Sequence, residues 1–434
     1  MCGGVAGVPV QAMRIDFPYP GIAPVEVPDA NLLGVFAPGT VSPSAPIDRL
    51  VAEALAHPIG TPPLRALASS RTRVLIVVDD VTRPTPAAAI IPVILAELQA
   101  AGVSDDHLAF LTADGTHGPM SRVELERKLG PTVLERYPVF GHRWRDRGDL
   151  VDLGTTSTGF PVVVNRHLRD ADLTIAVGHI VPHRITGFSG GAKAIMPGLA
   201  GAPTSTEDIH WLAAQYPARS ITGVAENPIR AIVDEAGQRS GLRFIVNVIQ
   251  DNQERVIRVV AGDPVRAHRE GCLTARDVYG VSVPARAPIV LLDSFPADLD
   301  FWQAAKAVYA AELAVEPGGV VILVTPCPRG VAAEHPELVG LGVPSLAEIR
   351  QRVASGLYRD VVAAAIAALT AWVVRERAYG IMVSPGIPPD QQRALGFEPA
   401  STARDALTLA FQRLGSGAKV LVLHHGGEIL PMLP

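Results

Sequence analysis

Short runs of valine, isoleucine and leucine alternate along this chain with longer alanine- and leucine-rich stretches. That rhythm constrains the fold more than any other feature, because buried strands joined by amphipathic crossovers form a mostly parallel sheet covered by helices. The first series of strands is read at 74–78, 107–112, 173–177 and 243–248, with a helix from Ala87 closed by Gly102 between the first two. A second series follows at 288–293, 319–324, 381–384 and 419–423, with helices starting at Asp300, spanning 361–374 and starting at Thr402. The expectation is an α/β protein of two α/β domains with mostly parallel sheets and an active-site cleft between them. The proline-bearing segment 281–288 reads as a linker. It would divide a catalytic and cofactor-binding domain, 1–285, from a C-terminal domain, 286–434, whose last strand could return to the first domain.

Composition narrows the function. Apolar residues make up 48% and charged residues 19% of the 434 positions, the balance of a folded globular protein. Acidic side chains exceed basic ones by five, and no dense lysine or arginine run occurs, which argues against a nucleic-acid surface and for a small-molecule partner. The longest apolar helical stretch, Val361–Val374, is too short to span a bilayer, and the first ten residues lack the pattern of a signal peptide. Cys2, Cys272 and Cys327 are widely spaced and match no metal or redox motif, so reduced thiols in a cytoplasmic protein are expected.

Three strands of the first series end in polar sequences. Asp80 and Arg83 follow the first, Asp114 and His117 follow the second, and His179 and His183 follow the third. The C-terminal ends of parallel strands share one edge of a sheet, so Asp80, Arg83, His117 and His183 can converge from distant parts of the chain. Two histidines reaching one site suit proton removal from one face of a substrate and return from the other. The run from Gly178 to Lys193 adds Gly187, Gly190 and Gly191, whose amides could approach an anion, and Lys193, which could contact a phosphate, form an imine or anchor a covalent group. His210, on a helix expected after the turn at 203–206, could bind a metal or pack in the core. Gln303 and Lys306 stand three residues apart on one helical face and could hold a carboxylate or simply face solvent.

Taken together, the sequences DDVTRPTP at 79–86, DGTHGP at 114–119, LGTTSTGFPVVVN at 153–165, GHIVPHRITGFSGGAKAIMPG at 178–198 and ENPIR at 226–230 resemble the nickel-pincer-nucleotide-dependent lactate racemase family. The AGD sequence at 261–263 and the Gln303/Lys306 pair extend the resemblance through most of the chain. It implies a racemase or epimerase of 2-hydroxyacids that moves hydride reversibly between the substrate Cα and a nickel-pincer nucleotide. His117 and His183 would be the acid and base. Asp80, Arg83, Ser189, Gly190, Gly191 and Lys193 would bind the cofactor, which Lys193 could hold covalently. His210 would be the metal ligand, while Arg83, Gln303 and Lys306 would bind substrate. The implied partners are a small 2-hydroxyacid and the enzymes that make the cofactor. Arg184 replaces an aromatic residue of the family pattern; pointed into the cleft, it could pair with a second carboxylate and favour a substrate other than lactate. Two other readings of the same residues are a zinc hydrolase built on Asp80, His117 and His183, and a carrier of the cofactor without catalysis.

Overall fold

A computed structural model describes residues 11–434; Cys2 and the first ten residues lie outside that range. The chain divides into two compact units. One contains Pro38–Gly280 with Arg352–Ile366; the other contains the residues up to Ala37, Val281–Gln351 and Ala367–Pro434.

The first unit is built on a six-stranded sheet in the order Val256–Gly262, Leu242–Gln250, Leu173–His179, Val74–Asp79, Leu108–Ala113, Val139–Gly141. The Val256–Gly262 edge strand runs antiparallel to its neighbour, and the other pairings are parallel. Central strands such as Val74–Asp79 and Leu173–His179 are buried along nearly their whole length, which explains why they read as continuous apolar runs rather than as alternating ones. One core gathers Ile76, Val78, Phe110, Ile175, Val177 and Phe244 from the sheet with Ile90, Ile94 and Leu98 from the helix Ala87–Ala100. Gly102, at φ 87°, provides the left-handed residue beyond that helix.

The second unit carries a wholly parallel six-stranded sheet in the order Phe397–Pro399, Ala378–Val383, Val315–Val324, Ala287–Asp293, Val420–Leu423, Leu32–Phe36. Its helices Phe301–Ala314 and Ala403–Leu414 begin where expected, with Asp300 and Thr402 capping their first turns. Among the described residues, no helix is long and apolar enough to cross a membrane.

The strand pairings add detail to the domain limits read in the sequence. Leu32–Phe36 joins the second sheet, with Val35 opposite Val422, so the N-terminal segment does not belong with the strands that follow it. As an edge strand with only partial burial, it carries no strong hydrophobic signal. Val420–Leu423 stays in that same sheet rather than returning to the first unit. The supposed linker also contains a strand, Gly280–Ser282, which pairs with Leu430–Met432.

Candidate active site

The parallel register sets Asp79 opposite Ala113 and Val78 opposite Val177, so the strands leading to Asp80, His117 and His179 finish together. His179 is the last residue of its strand and is buried, whereas the sequence reading ended that strand two residues earlier. His183 lies just beyond, on a two-residue strand, Pro182–His183, that pairs with Gly187–Phe188.

Asp80 and His117 form a direct contact between Oδ2 and Nδ1. Oδ1 of Asp80 accepts from the Thr82 amide at 3.1 Å and the Thr82 hydroxyl at 2.6 Å. Burial pushes the Asp80 carboxyl upward, but the neighbouring His117 and Arg83, with these hydrogen bonds, outweigh it and hold the group well below the usual range. Asp80 is therefore an ionised carboxylate aimed at one imidazole nitrogen. That fixes the ring and directs its other nitrogen away.

Asp114 behaves in the opposite way. It is almost fully buried, and burial together with the charge of Asp80 raises it to about 7. The Thr112 hydroxyl and the His142 amide donate to its Oδ2 at 2.8 and 3.0 Å.

A residue missed in the sequence, Lys128, holds the turn that carries Asp80. It lies on the helix Arg122–Leu129, and its Nζ reaches Asp79 Oδ1 at 2.6 Å and the Arg83 carbonyl at 2.9 Å. Burial alone would raise Asp79; Lys128, followed by His179, lowers it. The only available signal was a lysine in a chain with four.

The glycine-rich turn is held from behind. Arg230, completely buried, donates Nε to the Thr186 carbonyl at 3.1 Å, Nη1 to that of Gly190 at 3.3 Å and Nη2 to that of Phe188. The Nε2 of His268 meets the Ser189 carbonyl at 2.9 Å, and Asn247 Oδ1 accepts the Gly191 amide at 2.7 Å. Of the three glycines expected to approach an anion, Gly191 directs its amide to Asn247 instead. A β-carbon at Gly190 would stand 2.8 Å from Asn247 Oδ1. Glycine is required here so that the turn can lie against the neighbouring strand and helix. Ser189 also serves the turn, donating to the His179 carbonyl at 2.7 Å and accepting from the Val181 amide at 2.9 Å.

This scaffold presents Lys193 on the short turn Gly191–Ala194, which packs on the strands Val74–Asp79 and Leu173–His179. Its side chain is half-buried by accessible surface, yet the ammonium is lowered to about 7, first by burial and then by Arg83. A substantial neutral amine fraction at physiological pH makes it a competent nucleophile.

His210 sits on the helix Ser205–Ala213 with Nδ1 2.7 Å from the Thr206 carbonyl. Nδ1 consequently carries the proton and Nε2 the lone pair, the arrangement found in histidines that ligate metals. Among the described residues, no group of three or more His, Cys, Asp and Glu side chains is placed to hold a metal ion. Asp80, His117 and His183 are accordingly not grouped as three metal ligands. His210 could supply one ligand to a metal whose other ligands arrive with a cofactor, and Lys193 could anchor that cofactor; in donor type, both residues fit a nickel-pincer nucleotide.

Arg184 reaches the main chain at the end of a neighbouring helix. It is buried, and its guanidinium donates to the Tyr216 carbonyl at 2.5 Å and the Ala213 carbonyl at 3.5 Å, at the end of the helix that carries His210. The strand hairpin turns this side chain inward, where a helix C-terminus attracts a cation. In the second unit, Lys306 Nζ donates to Gln303 Oε1 at 2.7 Å, so those two residues form one hydrogen-bonded pair on the helix Phe301–Ala314.

Residues 21–219 match the family model described as the lactate racemase N-terminal domain, and residues 283–430 match the lactate racemase C-terminal domain. The chain is 28% identical over 420 residues to lactate racemase of Lactiplantibacillus plantarum, covering 95% of this chain and 98% of that protein. It is 30% identical over 319 residues to lactate racemase of Thermoanaerobacterium thermosaccharolyticum, covering 71% and 73% respectively. The solved lactate racemase apoprotein from the latter organism superposes with a TM-score of 0.86 at 25% identity, over 97% of this chain and all of that one. A Thermotoga maritima protein shares the fold, with a TM-score of 0.72 at 22% identity over 91% of this chain and all of that one.

Proposed function

Because the chain belongs to the lactate racemase family, we propose that this isomerase inverts the hydroxyl-bearing carbon of a 2-hydroxyacid, racemising or epimerising it, with a nickel-pincer nucleotide held by Lys193 and His210. The observation that carries the reading is the Asp80–His117 pair at the same sheet edge as a lysine lowered to about 7. A buried carboxylate behind an imidazole is an arrangement for taking a proton from a hydroxyl.

When bound, the nucleotide would supply reversible hydride acceptance from the substrate carbon. The chain's own residues supply the rest. Asp80 keeps His117 oriented with Nε2 as the proton acceptor. His183 addresses the substrate oxygen from the neighbouring hairpin. Arg83 offers its cation to the cofactor or to the substrate carboxylate. Placing the hydroxyl proton on a fixed imidazole, away from bulk water, lets a 2-oxoacid form and be reduced again without loss. The partners of this reading are the enzymes that make the cofactor, and its setting is the cytoplasm, where buried free cysteines such as Cys272 and Cys327 remain reduced.

The test is to produce the protein together with the cofactor's biosynthetic enzymes, measure nickel and intact mass, and follow single enantiomers of lactate, malate and longer 2-hydroxyacids by chiral chromatography. Inversion of at least one acid, with nickel bound and lost in His210→Ala, is the expected result. Absence of both nickel and an added organic mass would overturn the proposal.

A further inference from the structure

The helix Arg266–Tyr279 meets the glycine-rich turn through His268, a completely buried residue whose two ring nitrogens both have partners of fixed role. Nε2 stands 2.9 Å from the Ser189 carbonyl, which can only accept, and Nδ1 stands 3.0 Å from Nη1 of Arg269, which can only donate. One form of the ring satisfies both: the neutral tautomer with hydrogen on Nε2 and the lone pair on Nδ1. A hydrogen on Nδ1, in the other tautomer or in the imidazolium, would face the guanidinium. Burial, followed by the charge of Arg230, holds His268 well below the ordinary histidine range, in keeping with a neutral ring. Cys272 does not choose between the tautomers, because its Sγ lies 3.6 Å from each nitrogen.

Arg269 is held in its turn. Its Nε donates to Glu226 Oε1 at 2.5 Å and its Nη2 to Asp234 Oδ2 at 2.6 Å, which leaves Nη1 for His268. Glu226 is exposed, while Asp234 lies on the helix Pro228–Arg239 with Arg230, the residue that clamps the other carbonyls of the turn. A path of hydrogen bonds thus runs from a surface carboxylate through a guanidinium and an imidazole to Ser189, just before the short turn Gly191–Ala194 that carries Lys193. Loss of Arg269 would leave Nδ1 a buried acceptor without its donor and the ring with one tether instead of two.

We propose that Arg269 and His268 form a positioning relay: Arg269 holds the His268 ring in one orientation and one tautomer, and the ring, through the Ser189 carbonyl, fixes the turn from which Lys193 projects. Neither residue reaches the reacting atoms. Their consequence for cofactor loading rests on the reading of Lys193 and His210 given above, whereas the tautomer and the bracing of the turn do not.

The first experiment is long-range proton–nitrogen correlation NMR on cofactor-free protein labelled with nitrogen-15 in histidine, with His268→Leu assigning the ring. The expected spectrum shows hydrogen on His268 Nε2 alone, unchanged as pH passes through the ordinary histidine value of about 6.5. Hydrogen on Nδ1, on both nitrogens, or averaging between them would overturn the proposal without any further variant.

Hydrogen exchange then tests the relay, with the strand Val74–Asp79 as internal reference. Arg269→Met and His268→Leu should each speed exchange in Gly191–Ala194 about tenfold, the cost of one buried hydrogen bond. His268→Gln, which offers an oxygen to Arg269 and an amide to Ser189, should stay within about threefold of the parent, because it restores both bonds without the ring. Arg269→Met added to His268→Leu should change exchange by less than about threefold, since the route is already cut. Additive effects, or a His268→Gln turn as loose as that of His268→Leu, would overturn the relay. In protein made with the cofactor's biosynthetic enzymes at limiting nickel, Arg269→Met should carry about tenfold less nickel per chain than the parent. Equal loading would overturn the positioning role. A parent that binds no nickel would instead sink the cofactor reading and leave the bracing of the turn standing.

Discussion

Gly191 lies so close to the ring of His268 that a β-carbon would stand 2.9 Å from its Cγ and Cδ2. His268 is completely buried with Nε2 bonded to Ser189, so the ring has nowhere to retreat. Gly191→Ala therefore combines a left-handed backbone, at φ 59°, with an overlap in the core. Gly115 is the matched control, with φ 57° and nothing within 4 Å of its β-carbon position. Gly115→Ala should cost about 1 kcal/mol for its backbone alone and Gly191→Ala about 3 kcal/mol or more. Thermal denaturation of the two variants checks the order. Equal shifts in melting temperature would show that His268 does not brace the turn.

How much of this was legible in the sequence follows from what each residue does. Parallel strands announce themselves as apolar runs, and their shared edge is enough to bring Asp80 and His117 together, because topology alone sets where strand ends lie. Arg230, His268, Asn247 and Lys128 act by hydrogen bonds to main-chain groups or to one buried carboxylate. Such roles leave no periodicity and no spacing, so they stayed hidden. The glycines were visible, but their reason was not: a glycine that exposes amides to an anion and one that admits a neighbouring side chain are written alike. Arg184 was open for a related reason, since sequence places a residue on a hairpin without saying which way its side chain turns.

Arg184 therefore leads to a prediction about structure rather than substrate choice. Its donors reach the carbonyls of Ala213 and Tyr216, beyond the helix that carries His210. Arg184→Gln should speed hydrogen exchange in Ser205–Ala213 and lower stability by about 1–3 kcal/mol, the range for hydrogen bonds made by a charged group. The preference among lactate, malate and longer 2-hydroxyacids in the loaded enzyme should stay within about threefold of the parent, because less than about 1 kcal/mol separates substrates through an indirect effect of this kind. A switch in preference without faster exchange would place the guanidinium at the substrate instead.

Lys193 should stand apart from Lys128, Lys306 and Lys419, the other lysines of the chain. Its amine is lowered to about 7 by burial and by Arg83. Reductive methylation with carbon-13 formaldehyde, followed by NMR titration, should give one dimethyl-lysine signal with a midpoint near that value, absent from Lys193→Arg. An ordinary lysine titrates near about 10.4. Arg83→Gln removes a nearby positive charge and should move the Lys193 midpoint upward. If every signal titrates above about pH 9, the site lacks the nucleophilic amine that covalent attachment needs.

Asp114 gives the clearest dependence of stability on pH. In the folded protein its carboxyl is raised to about 7 by burial and by the charge of Asp80, against 3.8 for an unperturbed aspartate. Above pH 7 the folded state carries the buried charge at full cost. Between about 7 and 4 the folded protein takes up a proton that the unfolded chain does not, so this group adds stability as pH falls and loses it as pH rises through about 7. Asp114→Asn removes the charge and can still accept from the Thr112 hydroxyl and the His142 amide, which meet a single oxygen. The variant should be more stable than the parent at about pH 8, on the order of 2 kcal/mol, with the advantage shrinking toward pH 5. Melting curves across that range decide the matter. An advantage that grows on acidification would mean that Asp114 is ionised and stabilised in the fold, with its negative charge held by groups other than those described.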